Sequence, residues 1–107
     1  GDGGSADPFD RAGLAGAENN QGLVWQQLGR PAEAEACHRA ARTRFARLAA
    51  EHPDQPAWLA ETAGCGHNLA DVLAEVGQEE AAEQAYREAL VLRRRAAELA
   101  PGVPTCR

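Results

Sequence analysis

Residues 29–56, GRPAEAEACHRAARTRFARLAAEHPDQP, return 48 positions later as residues 77–104, GQEEAAEQAYREALVLRRRAAELAPGVP. Sliding residues 7–59 onto 55–107 without a gap aligns Pro8 with Pro56, Gly16 with Gly64, Asn20 with Asn68, Gly29 with Gly77 and Pro53 with Pro101. Alanine coincidences carry little weight in so alanine-rich a chain, but the Gly, Pro and Asn pairs mark turns and special contacts. A fixed period of this length with its punctuation in phase is the mark of a solenoid.

Within each unit the apolar residues follow the helical period. Leu14, Ala17, Val24 and Leu28 define a helix over about residues 10–28 that Gly29 stops. Pro31 suits a first helical turn, and Ala34, His38, Ala41, Phe45 and Leu48 make one stripe over about 31–51. His52–Pro56 ends it, since a residue before proline is pushed out of the helical region. The second unit repeats the pattern with helices over about 57–76 and 79–99. Acidic residues lead and arginines trail in both second helices, favourable to the helix dipole. The fold class is therefore all-α: an α-solenoid of two helix-turn-helix repeats, four long antiparallel helices. Residues 1–9 read as an N-terminal tail, 10–56 and 57–104 as the two repeats, and 105–107 as the start of a truncated or next repeat. Counting outward from the turn at residues 54 and 55 sets Phe45 level with Gly64, so the ring is expected to pack across that glycine.

Composition narrows the function. The 107 residues carry a net charge of −5, against a nucleic-acid surface, which needs phosphate neutralisation over a basic stripe. No apolar run is long enough for membrane insertion. All eleven basic residues are arginine, which excludes lysine-based chemistry. Three cysteines without regular spacing make no disulfide framework. Cys37, His38, Cys65 and His67 invite a zinc reading, but neighbours on a helix point about 100° apart. Cys37 and Cys65 are also offset by seven residues, roughly 10 Å of helix rise, beyond disulfide reach. The sole serine, Ser5, lies in the tail, and no His–carboxylate pair is placed to activate a nucleophile. The sequence implies no enzyme, metal or cofactor, and Trp25 and Trp58 read as packing residues.

Asn20, Gly22, Trp25, Gly29, Ala34, His38 and Ala41, then Asn68, Ala70, Leu73, Gly77, Ala82, Tyr86 and Ala89, match the tetratricopeptide pattern. The chain resembles that family over roughly residues 15–101. Its 48-residue period exceeds the usual 34 or so, similar to long-helix variants such as those of kinesin light chains. The resemblance implies a right-handed superhelix whose first helices line a groove that holds a protein or peptide, without catalysis. The matching groove positions are Asn19, Asn20, Leu23 and Gln27, then His67, Asn68, Asp71 and Glu75. In the family, the asparagine matched by Asn20 and Asn68 bonds a peptide backbone. Asn19 and His67 stand where a carboxylate-clamping lysine would be.

Two repeats leave one apolar face open at each end, and such folds usually need more repeats or caps. The chain is expected to be a piece of a longer array or to self-associate head to tail. Arg93 occupies the register of Phe45. In a stack in which Leu90, Arg93 and Ala97 meet the first helix of the next copy, it would lie level with Gly16 and approach Glu18 or Asp10. Such a contact does not close on itself and would build a helical filament.

Overall fold

The computed structural model describes residues 7–100. The tail sequence 1–6, the Pro101–Pro104 turn and residues 105–107, with Cys106, lie outside the described residues. Four helices follow one another: α1 (Pro8–Gln27), α2 (Pro31–Glu51), α3 (Pro56–Glu75) and α4 (Glu79–Leu99). Each packs on the next, α1 also touches α3, and α1 and α4 do not meet. The arrangement is an all-α solenoid of two hairpins. No helix among the described residues is long and apolar enough to cross a membrane.

Local chemistry fixes the ends. Asp7 caps α1, its Oδ1 accepting from the Asp10 backbone N–H at 2.9 Å, and proline takes the first turn. Pro8 and Phe9 therefore belong to the helix and not to the tail. Gly29 and Gly77 end α1 and α3 with φ of 74° and 86°, the left-handed region that glycine enters without steric cost. The residue after each closes the turn: Arg30 N–H donates to the Trp25 carbonyl at 2.9 Å and Gln78 N–H to the Leu73 carbonyl at 2.8 Å. These are the six-to-one bonds of a Schellman motif, repeated in phase.

Helix α3 is the most enclosed element. Trp58, Cys65, Leu69, Val72 and Leu73 are all buried on it. One core cluster joins Ala15 of α1, Ala41, Phe45 and Leu48 of α2, and Trp58 and Cys65 of α3. A second joins Leu69, Ala70 and Leu73 to Ala82 and Ala85 of α4. Phe45 is buried as its register requires, but its neighbour is not Gly64. Its ring stacks on Trp58 with centroids 6.4 Å apart, and a Cβ built on Gly64 would meet nothing within 4 Å. Equal height along two helices does not make residues face each other; the rotation of each helix decides that. Phe9 closes on the same indole at 6.2 Å, edge to face, and the buried Trp58 Nε1–H finds no acceptor among the described residues.

The glycine with the tightest neighbour is Gly22. A Cβ there would fall 2.5 Å from Cε1 of His38, inside the imidazole. The fully buried ring of α2 lies directly on the backbone of α1. At the surface, Arg11 holds Glu51 through two bonds of 2.5 and 3.0 Å, and Arg44 Nε bonds Glu18 at 2.7 Å. Both pairs tie α1 to α2. Being partly exposed, they orient the hairpin more than they stabilise it.

Gly22→Ala should destabilise the fold by about 1–3 kcal/mol, because the ring has no free space to enter. Gly64→Ala should instead gain up to about 1 kcal/mol of helix propensity. Urea unfolding of both variants checks the pair.

Candidate functional site

The positions read from the resemblance as groove-lining lie on α1 and α3 at spacings of three and four, so each set occupies one side of its helix. Asn20, Leu23, Gln27 and Glu75 are exposed, while Asn19, His67, Asn68 and Asp71 are half-buried. The two helices are joined here side chain to side chain. Asn68 Nδ2 donates to Asn19 Oδ1 at 3.2 Å, across the two repeats.

Asn19 Oδ1 has a second partner. His38 Nδ1 lies 2.8 Å from it, and His38 Nε2 lies 2.8 Å from the Gln26 side-chain amide. A neutral imidazole has one donor, and Asn19 Oδ1 takes it. Nε2 is then an acceptor, and the Gln26 side chain, placed with Oε1 2.8 Å away, satisfies it only with its amide turned to present the NH2 end. Burial holds the His38 pKa below its ordinary value, with the charge of Asp71 opposing weakly. The buried ring thus clamps α1 to α2 and orients Asn19 for its bond to α3.

The second repeat carries the same device in different residues. Positions 19 and 38 become 67 and 86 under the 48-residue shift. There the Tyr86 ring meets His67 edge to face at 5.2 Å, and its hydroxyl donates to Asp71 Oδ1. That hydrogen bond raises the Tyr86 phenol pKa. Gln26 was not singled out from the sequence, and Tyr86 only as a position of the repeat pattern; the shared register of 19/67 with 38/86 is the signal that pairs Tyr86 with His67.

The residues read for self-association lie elsewhere. Asp10, Leu90, Arg93 and Ala97 are exposed, on the outer sides of α1 and α4. A Cβ on half-exposed Gly16 would meet nothing within 4 Å. Glu18 already has a partner in Arg44 of its own chain. The four zinc-type side chains are taken up separately. Cys65 sits in the core, where burial pushes its thiol pKa up to about 12. His38 and His67 serve the pairs above, and among the described residues no group of three metal-type ligands comes together.

The tetratricopeptide repeat family matches residues 62–99, the later turns of α3 and all of α4. No curated protein and no solved structure matches the chain.

The sign of the His38 shift makes a test. An unfolded chain binds the imidazole proton at the ordinary pKa of about 6.5, the folded chain only at lower pH. Stability should therefore be complete above that value and fall as pH drops below it. Chemical denaturation at pH 7.5 and 5.5 should show this loss in the wild type, reduced in His38→Gln.

Proposed function

We propose that this chain, whose second hairpin is a tetratricopeptide repeat, is a non-enzymatic protein-interaction scaffold that holds an extended peptide against α1 and α3. The observation that carries this reading is the Asn19–Asn68 bond, backed by His38, because it holds the two first helices in a fixed relation. Beside it, Asn20 offers both a donor and an acceptor to a peptide backbone. Asp71 and Glu75 supply the charge, and α3 contains no arginine. A face of this composition favours a ligand with basic side chains and gives no clamp for a terminal carboxylate.

A second reading concerns the ends, and a comparison of α1 with α3 favours it. Thr62, Cys65 and Val72 are buried on α3, Cys65 in one cluster with Ala41, Phe45 and Leu48 of α2. Their counterparts one period earlier, Leu14, Ala17 and Val24, are exposed on α1. That face has the register to receive a second helix of another repeat, whether from the same chain or from a second copy. With a second copy, the shift that relates the hairpins replaces the stacked pair Phe45–Trp58 by Arg93 of one copy and Asp10 of the next. An aromatic stack becomes an ion pair that specifies orientation, while apolar burial supplies the affinity. Repetition of the contact gives a filament.

Peptides selected on the wild type from a random phage-displayed library should bind Asp71→Asn and Asn20→Ala more weakly, by about 1 kcal/mol or more, with unfolding curves unchanged. Equal binding to both variants would remove the groove reading. For stacking, light scattering should show mass rising with concentration, Arg93→Glu should suppress it, and adding Asp10→Arg should restore part of it. A monomer at every concentration would sink the second reading and leave the first intact.

A further inference from the structure

On the side away from α1, helices α2 and α4 stand apart over α3. Gly66 lets both come down onto the floor: its Cβ position lies 3.6 Å from Arg42 Cδ and 3.8 Å from Ala89 Cβ. Two clefts of about 440 and 560 Å³ open there and share Ala46, Ala50, Thr62 and Leu92, so they form one trough. Along α4 it runs from Ala85 to Leu99, roughly 20 Å at 1.5 Å per residue. Leu59 lies towards one end of the floor, and alanine and leucine make up half of the lining.

The rim is basic in a chain of net charge −5. Arg42 is spoken for, 3.8 Å from Glu88 across the trough. Arg47 on the α2 side and Arg95 on the α4 side are exposed and make no ion pair among the described residues. The other outward arginines of α2, Arg39 and Arg44, are held by Glu35 and Glu18.

We propose that this trough is a second docking surface, distinct from the α1/α3 face, and that it takes an acidic amphipathic α-helix of a partner protein. Its length matches about four helical turns. Its walls are helices, with no strand edge to pair an extended backbone. A helix satisfies its own backbone and lays side-chain ridges between those of α2 and α4. Alanines on both walls admit close approach, Leu92 and Leu99 offer apolar contact, and Arg47 and Arg95 select carboxylates on the helix flanks. The net negative charge opposes RNA and anionic lipid surfaces.

The probe is a fluorescein-labelled designed peptide of about 16 residues, with Leu and Ala on one helical face and Glu on the other. A control replaces each Glu by Lys. The acidic peptide should bind by anisotropy, gain helicity on binding, and weaken with added salt; the basic one should not bind. Arg47→Glu, at an exposed position, should weaken binding about tenfold, equivalent to about 1.4 kcal/mol, and Leu92→Glu should do at least as much if circular dichroism shows it folded. Asp71→Asn should leave binding unchanged, which separates this surface from the peptide face. No binding at millimolar peptide, equal binding of the basic control, or indifference to Arg47→Glu would overturn the proposal. So would displacement of the peptide by anionic vesicles or by an RNA oligonucleotide.

Discussion

Close approach of helix backbones is the constraint on which this molecule depends. The chain has no isoleucine or methionine and few aromatics, so it cannot fill wide gaps between helices. Dispersion attraction then has to come from many short contacts across small side chains. Helix α3 shows the result: Ala63, Gly66 and Ala70 are buried beside Leu69, Val72 and Leu73, with α2 on one side and α4 on the other. The extreme case is Gly22, where an imidazole rests on bare helix backbone. Such packing concentrates specificity in a few positions where one methyl group decides whether two helices can meet.

The polar side chains between the helices follow from the same closeness. Asn19 and Asn68 can bond directly because α1 and α3 approach there, and His38 reaches Asn19 because nothing stands between it and α1. Leaving a buried polar group unpaired costs more than a formed bond returns. His38, Asn19, Asn68 and Gln26 avoid that cost among themselves. The α1/α3 face is therefore held in place by bonds that belong to the fold.

Much of the architecture was legible because turns are written in residues with local physics. Gly29 and Gly77 stop helices through their own φ, Pro31 and Pro56 open them, and the 48-residue register follows from their spacing. What requires facing geometry was not legible. Gly64 and Gly22 look alike in sequence, yet only Gly22 bears a side chain against it. Register alone sets Glu18 near Arg93 of a neighbouring copy, whereas Arg44, on another helix of the same chain, bonds it. The trough between α2 and α4 leaves no signal at all in either helix alone, because its walls belong to different repeats and its shape exists only once both rest on α3.

Trp58 belongs to α3, yet its indole is lodged between Phe9 of α1 and Phe45 of α2, while Trp25 lies at the end of α1 beneath the guanidinium of Arg30. One tryptophan thus sits in the seam between repeats and the other at a rim within the first. In a linear chain of modules, cooperativity resides in the seams and not in the modules themselves. The intrinsic fluorescence of this protein is consequently divided between a reporter of coupling and a reporter of local structure, and any uncoupling of the two hairpins on heating would register as two emissions that change at different temperatures.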